Sequence, residues 1–110
     1  MPYSCYLLTD GKTSYIGYTS QPIDKRLEQH NRKRPGGAKA TAKFHGQGEI
    51  VGYVTGFASK SEAMQFEYAW KHSKPKAVGV EQRIQRAIKL IHDRPLTFVI
   101  TLQYEMYKWL

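Results

Sequence analysis

Two runs of aromatic and β-branched residues, Tyr3 to Leu8 and Tyr15 to Thr19, flank Asp10-Gly11. Such residues suit a half-buried pleated surface and Asp-Gly suits a tight reversal, so the pattern predicts a β-hairpin. A two-residue turn sets Thr9 against Lys12 and Tyr6 directly opposite Tyr15, whereas a loop extended through Thr13 shifts that pairing. Ser20 or Asp24 can start a first helix, with Pro22 in its first turn and the body running through KRLEQHNR. Ile23 and Leu27 form its inner edge, and Arg26 and His30, four residues apart, stack beside them. The stretch from Lys33 to Gly48 is basic, rich in Pro and Gly and without a period, which reads as a loop.

Glu49 to Gly56 has strand character, and Gly52 inside it points to a bulge or a close backbone approach. Ser59 with Glu62 forms an S-x-x-E capping box that opens a second helix. On that helix Ala63, Phe66 and Trp70 make an apolar stripe, and Glu67 projects from the same side. A third helix from about Val80 to Asp93 buries Ile84, Ala87, Ile88 and Ile91, shows Arg83, Arg86 and Lys89 to other faces, and is ended by Pro95. Leu96 to Leu102, and then Tyr104 to Trp109, supply one or two further strands. The class is α/β.

At 110 residues the chain fits a single domain. With 41% hydrophobic residues it is too apolar for disorder. The single cysteine, Cys5, excludes an internal disulfide framework, and no Cys/His cluster has zinc-site spacing. The start lacks a basic and a long apolar signal region, and no run approaches the roughly 18 apolar residues needed to span a bilayer. An intracellular protein that is neither secreted nor membrane-embedded is expected. Lys plus Arg number 17 against 9 Asp plus Glu, a net charge of +8, which favours a polyanionic partner. The cations gather between Arg32 and Lys43, at Lys71, Lys74 and Lys76, and at Arg83 and Arg86, where they can contact such a partner.

A carboxylate on an apolar stripe is costly to desolvate, so Glu67 needs a cation or a strong donor. A hydrated Mg²⁺ meets that need, as does an ion pair with Lys71 or Arg26. Arg26 offers a planar fork of donors for a phosphoryl group. His30 can take or relay a proton near neutral pH. The phenols of Tyr6 and Tyr15 act as bases only if a nearby cation helps them ionise. Each side chain alone has an ordinary packing or surface explanation. Together they provide a base, a charge stabiliser and a metal ligand, which is what hydrolysis of a phosphodiester requires.

Taken in order, these residues resemble the GIY-YIG endonucleases, and among them the Slx1-type structure-selective nucleases. Ser4-Cys5-Tyr6 stands at the GIY position, Tyr15-Ile16-Gly17 at YIG, Arg26 and His30 in the R-x-x-x-H helix, and Glu67 in QFEYAW. YSCYLL, QHN and GGA add further Slx1-like matches, and the similarity covers about Tyr3 to His72. The resemblance implies a small central antiparallel sheet of three strands flanked by helices, to which this chain adds a C-terminal helix and strand or strands. It implies a single domain over residues 1–110, with core 3–72 and extension 78–110.

The resemblance also implies one divalent cation, Mg²⁺ or Mn²⁺, on Glu67, with Arg26 stabilising the transition state. Either Tyr6 or Tyr15 can be the general base; Tyr6 is the preferred assignment, with His30 as relay and Tyr15 positioning water or phosphate. Gly17, Lys25, Arg32, Lys33, Arg34, Lys39, Lys43 and Lys71 are the expected DNA contacts. Ala40 stands where the family usually has Arg, which passes that contact to Lys39 or Lys43. The chain has no cysteines for the RING-like domain through which Slx1-type proteins dock a scaffold, leaving a scaffold partner unsupported. The expected function is cutting of branched DNA (flaps, forks or four-way junctions) in repair or recombination. The alternatives are a catalytically silent nucleic-acid-binding module and a small basic structural or ribosome-associated protein.

Overall fold

The computed structural model describes residues 3–31, 48–72, 74–77 and 79–101. Arg32, Lys33, Arg34, Lys39, Ala40, Lys43 and the expected strand Tyr104 to Trp109 lie outside the described residues. In chain order the elements are β1 (Ser4–Thr9), β2 (Ser14–Thr19), α1 (Ile23–His30), β3 (Glu49–Thr55), α2 (Lys60–His72), α3 (Val80–Ile91) and β4 (Thr97–Ile100). The strands form one antiparallel sheet in the order β2-β1-β3-β4. The three strands the resemblance implied are β2, β1 and β3, and the expected C-terminal strand joins them as β4, shorter than Leu96 to Leu102.

Alternation along β1 sends its side chains to two different environments. Cys5 and Leu7 join Ile16, Val51, Val54, Phe57, Ala63, Phe66, Trp70, Ile84 and Ala87 in the main core, under α2 and α3. Tyr6 and Leu8 face the other way, with Tyr15, Ile23, Leu27, Ile50 and Tyr53, under α1.

The hairpin register differs from the two-residue-turn expectation. Thr9 pairs with Ser14, Leu8 with Tyr15 and Tyr6 with Gly17. The connecting loop is Asp10 to Thr13, because the Asp10 carboxylate accepts the N–H groups of Lys12 and Thr13 at 2.9 and 2.8 Å. Thr9 Oγ1 closes the loop by donating to the Thr13 carbonyl at 2.6 Å. An Asx side chain that takes over turn hydrogen bonds in this way lengthens the loop by two residues. Tyr6 and Tyr15 therefore share a face diagonally, with ring centroids 6.3 Å apart, instead of standing opposite each other.

In β3 the pairing with β1 slips between Leu7↔Gly52 and Leu8↔Ile50, the bulge that Gly52 suggested. A Cβ at Gly52 would lie 2.7 Å from the Val99 carbonyl oxygen of β4, so close strand approach also requires glycine there.

Helix α1 begins on Pro22, with no side-chain cap from Ser20 or Asp24, and ends at His30. Thr19 Oγ1 accepts the N–H of Gln21 at 2.9 Å and turns the chain into the helix. In α2 Ser59 Oγ accepts the Glu62 N–H at 3.1 Å, as the capping pattern predicts.

Helix α3 ends at Ile91, short of Asp93. Its buried stripe follows Val80, Ile84, Ala87 and Ile91 and leans toward the flank carrying Arg83 and Leu90. At 100° per residue this puts Ile88 on the opposite flank, where it is exposed instead of buried. Arg83, expected on an outer face, is half-buried for the same reason. Among the described residues no helix is long and apolar enough to cross a membrane.

Candidate active site

Tyr6 projects from the middle of β1, and β2, the helix start and Leu27 fix where α1 lies over it. Both Tyr6 and His30 are 0% exposed. The Tyr6 hydroxyl meets Nε2 of His30 at 2.5 Å. Arg26 donates from Nε to the same hydroxyl at 3.2 Å, one helical turn before His30. Its Nη1 donates to Oε1 of Gln29 at 2.7 Å, which anchors the guanidinium plane. The Tyr6 hydroxyl therefore sits between a guanidinium donor and His30 Nε2, whose donor or acceptor role follows the imidazole tautomer.

Tyr15 completes the cluster from β2, with its ring 5.2 Å from that of His30. Unlike Tyr6 it is half-buried and reaches solvent. Gly17 packs directly under both phenols: a Cβ there would lie 2.6 Å from Cζ of Tyr6 and 2.8 Å from Cε2 of Tyr15. The glycine of the YIG run is thus explained by ring packing.

Burial pushes the Tyr6 hydroxyl well above the ordinary phenol value, only partly offset by Arg26 through its hydrogen bond and charge. Burial and the negative charge of Glu67 raise Tyr15 as well. Burial also pushes the Cys5 thiol up to about 12; it donates to the Ala63 carbonyl at 3.0 Å and serves the core.

Glu67 comes from α2, on the opposite side of the sheet from α1. Its negative charge contributes to raising both Tyr15 and, to a lesser degree, Tyr6. It pairs with Lys71 at 3.6 Å, one of the two ion pairs the sequence allows, and the side chains are 21% and 32% exposed. Lys71 Nζ also stands 5.4 Å from the Tyr15 ring centroid.

A single partly exposed carboxylate beside phenols fits a hydrated Mg²⁺ or Mn²⁺ that takes its remaining ligands from water and phosphate. Among the described residues no group of three or more His, Cys, Asp and Glu comes together, so the donor set does not form an all-protein metal cage.

Tyr6, Tyr15, Gly17, Arg26 and His30 are therefore in one cluster, with Glu67 and Lys71 at its β2 edge. Lys25 is exposed on α1. Two residues make contacts near the site that the sequence does not foretell directly. Asn31, directly after His30, donates from Nδ2 to the Gly48 carbonyl at 2.9 Å and accepts the Gly48 N–H at 2.8 Å. It thereby ties the end of α1 to the approach to β3, and an Asn just past a helix was the available cue. Arg83 donates from Nη1 to Ser14 Oγ at 2.9 Å, next to Tyr15, and only the lean of the α3 stripe foretells that contact.

Comparison with known proteins gives the family of the chain. Residues 2–79 match the family described as the GIY-YIG catalytic domain. A structure-specific endonuclease subunit SLX1 homolog of Giardia intestinalis is 40% identical over 75 residues, which are 64% of this chain and 20% of that protein. A structure-specific endonuclease subunit slx1 of Aspergillus niger is 49% identical over 74 residues, 64% of this chain and 17% of its own length. One from Ajellomyces capsulatus is 43% identical over 76 residues, 66% and 18% respectively. The chain spans about one fifth of the length of these relatives. With the match covering well over half of its residues, the chain belongs to the GIY-YIG catalytic domain family.

Proposed function

We propose that the chain is a metal-dependent, structure-selective DNA endonuclease that hydrolyses phosphodiester bonds in branched DNA such as flaps, forks and four-way junctions. The observation that carries this reading is the Tyr6 hydroxyl held between His30 and Arg26, with the Glu67–Lys71 pair beside the Tyr15 ring. The relatives, named as structure-specific endonuclease subunits, support the substrate class.

Tyr6 accepts the proton of the attacking water. Its raised pKa makes a free phenolate costly, and passing its own proton to Nε2 of His30 avoids that species. The hydroxide closes on phosphorus, the bond from phosphorus to the leaving sugar oxygen breaks, and that oxygen takes a proton from solvent. Tyr6 is buried, so the water it serves arrives with the substrate. Tyr15, at the solvent edge, orients water or phosphate. Arg26 neutralises charge developing on the phosphoryl oxygens. Glu67 would hold one divalent ion, Mg²⁺ or Mn²⁺, which supplies charge neutralisation at the phosphate and lowers the pKa of water. Lys71, paired with Glu67 here, would be available to the DNA backbone once a metal ion held that carboxylate.

Incubating a labelled 5′ flap with the protein and Mg²⁺ should give nicked product that EDTA suppresses. Glu67→Gln should remove the product while leaving flap binding within a few fold, because phosphate contacts are spread over many cations. Cutting that survives either treatment would overturn the assignment, and tight binding without any metal-dependent cutting would favour a silent binding module.

A further inference from the structure

Tyr15 has a second side. Opposite His30 it helps line a cleft of about 260 Å³ together with Ser14, Lys71, His72, Lys76 and Arg83. A neighbouring cleft of about 360 Å³ shares Lys76 and adds Arg86 and Lys89. From residue 71 to residue 89 the chain carries six Lys or Arg, at positions 71, 74, 76, 83, 86 and 89, against the single acid Glu81.

Arg83 differs from an ordinary surface cation. It is half-buried, and desolvation lowers its pKa below the ordinary value. Its Nε donates to the Ala77 carbonyl at 3.1 Å and its Nη1 to Ser14 Oγ at 2.9 Å, both neutral oxygens. Trp70 holds the helix beneath it by donating from Nε1 to the Arg83 carbonyl at 2.9 Å. Among the described residues no carboxylate lies within ion-pair distance of Arg83. A fixed, partly desolvated guanidinium without a counter-charge among the described residues, lining a basic groove, is suited to an anion supplied from outside.

We infer that the groove between the start of β2 and the α2–α3 connection is a phosphate-backbone track, with Arg83 as its anchor and Lys71 and Lys76 as its rails. It receives the DNA strand that continues past Tyr15 from the cutting centre. This rests on the nuclease reading and adds to it. Arg83 lies beyond residues 2–79 that match the family, so the anchor comes from the part of the chain outside that match.

The test measures binding of a labelled 5′ flap in EDTA over a series of KCl concentrations, for the parent, Arg83→Gln, Lys76→Gln and Lys60→Gln. Lys60 is exposed at the far end of α2 and serves as the control. Each groove variant should bind several-fold more weakly, with the slope of log affinity against log salt shallower by about 0.9 for each phosphate no longer neutralised. Lys60→Gln should keep the parent slope. Lys76 is exposed, so its variant answers the question even if Arg83→Gln does not fold. Parental slopes in the groove variants, beside a parent that binds and cuts, would overturn the track and leave the nuclease reading intact. Equal losses in Lys60→Gln would overturn it too, as a pure net-charge effect. A parent that neither binds nor cuts DNA would remove both readings.

Discussion

The two sides of β1 are equally buried and chemically opposed. Cys5 and Leu7 are sealed by α2 and α3 in an apolar core, whereas Tyr6, one residue away, is sealed by α1 among hydrogen-bonding groups. Burial alone therefore does not distinguish a packing residue from one proposed to react. The covering helix decides: α2 presents Ala63, Phe66 and Trp70 to one face, while α1 presents Arg26 and His30 to the other. On the proposed function, strand parity separates stability from chemistry within six residues, and variants can be sorted by the face they touch.

The largest effects should come from emptying the core face. Trp70→Ala removes a side chain 1% exposed that packs on Phe66 and Phe98, and should cost about 3–5 kcal/mol of stability in urea unfolding. Flap cutting per folded molecule should change far less. Arg26→Ala is the converse on the other face. It should slow cutting by about 10²–10³-fold, the usual loss for one preorganised donor to a developing charge, with little change in the unfolding midpoint. If the two variants lose stability and activity in parallel, the division between the faces is wrong.

Gly17→Ala tests the contact beneath the phenols. Its Cβ cannot fit without moving Tyr6 or Tyr15, so it should cost about 1–3 kcal/mol and reduce cutting more than the stability loss accounts for.

Alkaline titration sharpens the comparison further. The Cys5 thiol stays protonated in the folded protein to about pH 12 against an ordinary value of 9.0, and the Tyr6 phenol is shifted the same way. Above pH 9 the unfolded chain has released protons that the native state still holds. Stability is thus complete below that point and falls as pH rises toward 12, with a limiting slope of about 1.4 kcal/mol per pH unit for each group. Cys5→Ala should flatten the part of the fall that begins near pH 9 while leaving cutting at neutral pH near the parental rate. Smallest of all, Ser59→Ala should cost about 1 kcal/mol by leaving the Glu62 N–H without its cap, and should not touch the chemistry.

Much of this division can be read along the chain. Alternation in YSCYLL and the 3–4 spacing of Ala63, Phe66 and Trp70 report which side chains point inward, because those periods are set by backbone geometry. The grouping of Arg26 with His30, and the placement of Glu67 on the inner side of α2, follow from the same rule.

Register does not follow from it. Whether the hairpin turns in two residues or four depends on the Asp10 carboxylate competing for the Lys12 and Thr13 N–H groups, a choice that the strand pattern leaves open. The lean of α3 is likewise a tertiary property. Val80 and Leu90 draw the buried stripe toward Arg83, which period alone would have placed with the solvent-facing cations, and leave Ile88 exposed. Asn31 clasps a backbone position seventeen residues later, a pairing that no local pattern encodes.

The central claim is that the Tyr6 hydroxyl, backed by His30, takes the proton of the attacking water. Its most direct test is the single-turnover rate of flap cutting by Tyr6→Phe at saturating protein and Mg²⁺, a change that deletes one oxygen and keeps the ring. The account predicts a rate at least about 10²-fold below the parent, with flap affinity unchanged within a few fold. A rate within a few fold of the parent would contradict it.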